Sequence, residues 1–228
     1  MKYLITFEKA ESVRWLGHLD ILRTFERAIR RAELPIAFTA GFNPRERIAF
    51  ANALSVGITA SDEPATLELV EAVPPSDLIA RLNNKLPPGI QLKSAFEIPD
   101  AGSRDLLNSY DRAEFLVTCV CDESTDMDSA QSAVNALLAK EDLPVERERE
   151  GKIKRLNIRP FTHDVRTVER TDGRITFAMT LGIGMEGVAK PQEIVACLAN
   201  DLPGLAVRRV HRARLLAKEP VAAGASGV

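Results

Sequence analysis

His18 and Asp20 open an amphipathic stretch, HLDILRTFERAIRRAEL, and are the residues best placed to do chemistry. An imidazole titrates near neutrality and a helix start presents free N–H groups, so His18 there can serve as a general base or a phosphate contact. The competing reading is structural, with His18 capping the helix and Asp20 complementing its dipole. Arg23, Arg27, Arg30 and Arg31 lie off the apolar stripe of Leu22, Phe25, Ile29 and Ala32. Together with Arg14 before them and Asn43, Arg45 and Arg47 after them, they form a group whose guanidinium forks match phosphate geometry. A solvated face paired with Glu26 and other acids is the alternative.

Further basic stretches run from Arg147 through Lys152, Lys154, Arg155 and Arg159, and from Arg208 through Arg209, His211, Arg212 and Arg214. Lys154, Arg155 and Arg159 are candidates to extend a nucleic-acid surface. Acidic residues gather elsewhere, as in DESTDMD at 122–128, and the net charge is −2. The whole molecule is thus no electrostatic attractor for nucleic acid, but its positive charge is sorted along the chain. Phe42, in the turn-rich Gly41-Phe42-Asn43-Pro44, either stacks on a base or plugs the core. The sheet signature of an RNA-recognition strand is missing from IAFANALSV, and aromatics are only 5% of the chain, which disfavours base stacking on an open sheet.

Other constellations are weak. Cys119 and Cys121 sit in the apolar run EFLVTCVC, which reads as buried core, and with Cys197 they give neither a CxxC pair nor a disulfide framework. An iron–sulfur cluster needs three or four thiolates, so no cofactor is expected. His163 and His211 have no partners at metal-ligand spacing, so no metal is expected either. Gly182, Gly184 and Gly187, ahead of Lys190-Pro191, have the spacing of a phosphate-cradling turn but no Walker pattern, and a strand-to-helix connection is the better reading.

The elements that position these residues follow from periodicity. Tyr3, Ile5 and Phe7 alternate with Lys2, Thr6 and Glu8, which predicts a strand. The arginine-bearing helix follows and Pro35 stops it. RIAFANALSV and ATLELVEAV read as strands separated by a GITASDEP loop, and SDLIARLNNKL as a helix N-capped by Ser76, before the strand GIQLKSAFEI. From Ala113 the order starts again: strand AEFLVTCVC, helix Asp128 to Lys140, extended PVERERE, strands HDVRTVE and RITFAMTLG, helix KPQEIVACLAN, strand LAVRRVHRARLL.

Strand, helix, two strands, helix, strand, made twice, predicts an α+β protein of tandem ferredoxin-like (split βαβ) halves with antiparallel sheets. The boundaries fall at residues 1–98 and 113–217, with a linker at 99–112 and a disordered tail at 218–228. Each half approaches the size at which a domain buries its own core. The chain is 45% apolar, 27% charged and without a long apolar run, which excludes a membrane protein. Glu8 and Glu11 interrupt what a secretory signal would need, so the expected location is the cytoplasm.

The segment from Arg14 to Gly57, RWLGHLDILRTFERAIRRAELPIAFTAGFNPRERIAFANALSVG, resembles the start of the radical-SAM-linked domain family of unknown function. NIRPFTHDV and GVAKPQEIV are similar to that family's later blocks, so the resemblance spans most of residues 1–216. It implies a separately encoded radical SAM protein as partner. The family pattern usually carries His after Gly-Phe-Asn-Pro, where this chain has Arg45-Glu46-Arg47. The same helix and loop also resemble the CRISPR repeat-associated RNA-processing proteins. The function expected is a non-catalytic RNA-binding or substrate-presenting partner of a radical SAM enzyme. A metal-independent ribonuclease using His18 and a protein adaptor without RNA are the alternatives.

Overall fold

A computed structural model describes residues 1–99 and 103–218. Of the expected disordered tail at 218–228, Lys218 is held, its N–H donating to Ser109 O at 2.7 Å and its ammonium pairing with Glu186 at 2.9 Å, and the remainder from 219 lies outside the described residues. The fold is α+β with a mostly antiparallel sheet. Its first half contains β1 (Lys2–Lys9), α1 (His18–Arg31), β2 (Ile48–Phe50), β3 (Ile58–Glu68), α2 (Pro75–Asn83) and β4 (Ile90–Ile98). A short helix α3 (Ser103–Asn108) stands in the expected linker. The second half contains β5 (Tyr110–Val120), α4 (Met127–Leu138), a hairpin of β6 (Pro144–Arg149) and β7 (Lys152–Asn157), β8 (Thr162–Thr171), β9 (Arg174–Gly182), α5 (Pro191–Leu198) and β10 (Ala206–Ala217).

The main sheet runs β4-β1-β3-β10-β5-β9-β8, with β2 also on β3. The order β4-β1-β3-β2 in the first half and β10-β5-β9-β8 in the second is, in each case, the antiparallel arrangement that a split βαβ unit requires. One parallel contact joins them, with Ile58, Thr59 and Ala60 of β3 facing Val210, His211 and Arg212 of β10. That contact explains a departure from the sequence reading. GITASDEP is the first part of β3 rather than a loop, because β10 supplies the ladder partners that a local pattern cannot reveal.

Two apolar clusters fill one face of this sheet. In the first, Tyr3, Ile5 and Phe7 meet Ile21, Phe25, Ala28 and Ile29 of α1 and Leu78 and Leu82 of α2. The helix stripe is centred on Ile21 rather than on Leu22. The second joins Phe115, Val117, Phe177 and Met179 to Val134 and Leu137 of α4 and Ile194 and Leu198 of α5. Leu54, Ile58 and Ala60 belong to this second cluster although they precede α2, so the halves interlock at the seam. Cys119 is core as expected, and burial pushes its thiol up to about 12.

The inward row at the seam also carries charge. Arg212 meets Glu63 as a fork, Nε to Oε1 at 2.7 Å and Nη2 to Oε2, with both side chains at most 5% exposed. Nη2 also donates to the Asn52 carbonyl at 3.2 Å. Lys9, fully buried at the end of β1, donates to the carbonyls of Arg14 and Leu16 at 2.9 and 2.8 Å and thereby fixes the segment that leads into α1. Burial lowers its ammonium to about 8, with Glu63 opposing and Arg212 adding to the shift.

Breaking a buried pair strands the remaining charge, so Arg212→Met should cost about 3–5 kcal/mol in denaturant unfolding. Glu63→Gln should cost at least as much, because Lys9 loses its counter-ion as well. Above about pH 8 folded Lys9 releases its proton while the unfolded chain holds it to about 10.4, so the Lys9 contribution to stability should rise with pH across that window, against the opposite contribution of Cys119, whose thiol the fold keeps protonated. The urea midpoint of the wild type relative to that of Lys9→Met, in which Cys119 is unchanged, should rise through the window.

Candidate nucleic-acid interface

The α1 helix begins at Gly17, whose N–H donates to Asp20 Oδ2 at 3.1 Å, so Gly17 rather than His18 is the capping residue. Arg30 and Arg31 lie in the last turn, where cations complement the dipole. Burying Ile21, Phe25 and Ile29 turns Arg23, Arg27, Arg30 and Arg31 to solvent. Beyond the helix, residues 37–47 fold back as an irregular hairpin. Phe38 bridges Glu46, Thr39 N donates to Arg45 O at 2.8 Å, and Arg47 N donates to Ala37 O at 2.8 Å. Its tip is Gly41-Phe42-Asn43-Pro44, with Gly41 at φ +123°, a conformation that favours glycine. Phe42 is fully exposed, so it does not plug the core.

An ion pair ties hairpin to helix. Arg30 Nε donates to Glu46 Oε1 at 2.6 Å, and the Glu46 side chain is only 2% exposed. That bond holds the Arg30 guanidinium above its usual range, while the other Glu46 oxygen has no hydrogen-bond partner among the described residues. Arg47 bonds Glu68 Oε2 at 3.0 Å and the Phe38 carbonyl at 3.3 Å, and Arg31 donates to the Lys85 carbonyl at 2.7 Å. These arginines are occupied in building the surface. Arg23, Arg27 and Arg45 are exposed and have no side-chain partner among the described residues. Arg23 and Arg27 stand one helical turn apart, about 6 Å along the axis. Asn43 is exposed beside Arg45. A cleft of about 740 Å³ adjoins the hairpin, walled by Glu46, Arg47, Thr66 and Glu68 with Asp105 and Asn108 of α3.

The remaining sequence candidates divide. Arg14 pairs with Glu11 and lies 4.6 Å from the centroid of the exposed Trp15 ring. His18 is half-buried, edge-on to Phe50 at 5.6 Å, and lines a small internal cavity with Lys9, Asn52 and Glu63. The second basic group resides on the β6–β7 hairpin and beyond. Lys154 is exposed, and Arg155 pairs with Glu146 at 2.8 Å. Arg159 closes the end of α4, donating to the carbonyls of Leu138, Lys140 and Thr162 at 2.8, 3.1 and 2.9 Å. Gly187 lies so close to Phe161 that a Cβ would fall 2.0 Å from its ring, which accounts for that glycine by packing. Lys9, Glu63 and Arg212 were missed as a buried charged group. The signal was present, since Tyr3, Ile5 and Phe7 set an inward row whose next member is Lys9.

Glu46→Gln should weaken the tie while leaving α1 intact. Hydrogen exchange should then quicken at residues 37–47 and remain unchanged at residues 18–31.

A family profile described as "Uncharacterized protein conserved in bacteria (DUF2344)" matches residues 2–191. No curated protein matches the chain. Among solved structures it is similar to a chain of a Cbf5–Nop10–Gar1 complex, at 8% identity and TM-score 0.56, over 93% of this chain and 48% of that one. It is also similar to a chain of an archaeal box H/ACA sRNP Nop10–Cbf5 complex, at 10% identity and TM-score 0.51, over 93% and 47%. A third likeness is to a chain of an H/ACA RNP bound to a substrate RNA containing 2′-deoxyuridine, at 9% identity and TM-score 0.50, over 93% and 47%. These likenesses are of fold, and the chain spans about half the length of the structures it matches. No helix among the described residues is long and apolar enough to cross a membrane. With its profile match covering most of its length, the chain belongs to the DUF2344 family of proteins conserved in bacteria.

Proposed function

We propose that the protein is a non-catalytic RNA-binding subunit that presents RNA to a separate radical SAM enzyme in the cytoplasm. The observation that carries the RNA part is that Arg23, Arg27 and Arg45 are exposed with no side-chain partner among the described residues, the first two on α1 and the third, with the exposed ring of Phe42, on a hairpin held to α1 by Arg30 and Glu46. Guanidinium groups left unpaired on a protein of net charge −2 are available to phosphates, and an exposed aromatic at a loop tip can stack on an unpaired base. The adjoining cleft falls within the size range of small-ligand pockets, so it has room for a nucleobase. The likeness in fold to a chain from a particle bound to substrate RNA supports the same reading. The radical SAM partner rests on the resemblance of the Arg14–Gly57 segment to the radical-SAM-linked family. The inward placement of His18, against Phe50 and away from the free arginines, weighs against a ribonuclease built on that residue.

Under this reading Arg23→Glu with Arg27→Glu weakens binding of cellular RNA at least about tenfold at low salt, and each lost phosphate contact reduces the slope of affinity against salt by about one. Phe42→Ala should weaken single-stranded RNA more than duplex. Filter retention of intact RNA across a salt series tests both. Equal retention by the wild type and the double variant would instead favour a protein adaptor.

A further inference from the structure

The face of the sheet opposite the core carries a second constellation at the seam, remote in sequence from α1. The parallel register sets His211 of β10 directly against Thr59 of β3, and on its other side against Leu116 of β5. His211 Nδ1 lies 2.8 Å from Thr59 Oγ1, and Nε2 lies 2.8 Å from Ser61 Oγ. Thr59 is buried and its hydroxyl also reaches the Val210 carbonyl at 3.5 Å, whereas Ser61 is exposed. If the Thr59 hydroxyl donates to that carbonyl, it accepts from Nδ1–H, which leaves Nε2 as the acceptor for the Ser61 hydroxyl. This tautomer gives a hydroxyl, a base and a residue that orients the base.

The backbone reinforces the arrangement. Between Phe7↔Glu63 and Lys9↔Ala60 the β1–β3 register slips, so Ser61 and Asp62 together face Glu8 in a bulge and both remain exposed. Such bulges re-aim side chains beside functional sites. Burial and the neighbouring Arg209 lower the His211 pKa, opposed by Glu8, which keeps the ring neutral at physiological pH and able to accept a proton. Arg209 lies two residues away on the same face.

We propose that Ser61 and His211 form a nucleophile–base pair, positioned by Thr59, that attacks uncharged carboxylic esters on the open face of the seam. Ser61 Oγ bonds to the acyl carbon as its proton passes to His211 Nε2. The tetrahedral intermediate then collapses, the alkoxide leaves with the proton from His211, and water hydrolyses the acyl-serine. Charge sets the substrate class. Asp62 stands in the bulge beside Ser61, Glu8 opposite is paired with Lys93 at 2.6 Å, and Arg209 is already shared with Glu11 at 3.4 Å; with both cations held by carboxylates, an anionic phosphodiester is disfavoured and a neutral ester is not. This activity adds hydrolysis at the seam to RNA binding at α1 and the 37–47 hairpin, and the non-catalytic role proposed above describes that RNA-binding surface alone.

The test is the rate at which the full chain reacts with an alkyl fluorophosphonate, in which the serine oxygen bonds phosphorus and fluoride leaves. The adduct is located by peptide mass. Labelling should fall on Ser61, vanish in Ser61→Ala, and slow at least about 100-fold in His211→Gln, which can still bond both hydroxyls. Thr59→Val should shift the midpoint of the rate–pH curve to lower pH, because the imidazolium loses the acceptor for Nδ1–H while Glu8 and Arg209 remain unchanged. An adduct elsewhere, no adduct, or an equal rate in His211→Gln would overturn the proposal.

Discussion

The forked pair of Arg212 and Glu63 is the constraint on which the architecture turns. It bridges β10 and β3 where only three residues of each strand pair in parallel, and it does so on the inward row, where water is excluded. Each charge is costly alone and tolerable only with the other in register. Slippage of one strand by one residue would turn its charge onto the opposite face and leave the other buried and unpaired, so the pair selects one alignment of the halves. The Asn52 carbonyl and Lys9 extend that selection to the segment before β3 and to the lead-in of α1.

From the seam outward, the two faces of the sheet do different work. The inward face is filled by the helices, and α1 is pressed down by Phe25 and Ile29, so its arginines can only face solvent. Which of them remain available is decided by the hairpin at 37–47. Glu46 takes Arg30 and Glu68 takes Arg47, while Arg45 and Phe42 on the same hairpin remain exposed. A guanidinium already bonded to a carboxylate has little to offer a phosphate, so counting arginines overstates the surface and counting partners measures it. The outward face at the seam brings Thr59, Ser61 and His211 together through register alone.

Much was legible in the sequence. Alternation in Tyr3, Ile5 and Phe7, the helical stripe around Phe25, the doubled element order and the buried Cys119 all follow from local periodicity, because each reflects which side of a single element faces the core. The split βαβ order and the exposure of the α1 arginines follow from the same signal. The Lys9 row was readable too, although a lysine at a strand end reads as exposed until something shows what covers it.

What only the tertiary structure decided are the contacts between residues far apart in the chain. GITASDEP forms a strand because β10, about 150 residues away, provides its ladder, and Arg212 finds Glu63 across the same distance. Neither pairing leaves a trace in local periodicity, since hydrogen bonds and ion pairs depend on position in space. The division of the arginines into paired and free, the role of Arg159 in closing α4, and the meeting of His211 with Ser61 are of the same kind. The sequence by itself determined which side chains exist and which face of each element they occupy. Their partners, and therefore their chemistry, were determined by how the two halves meet.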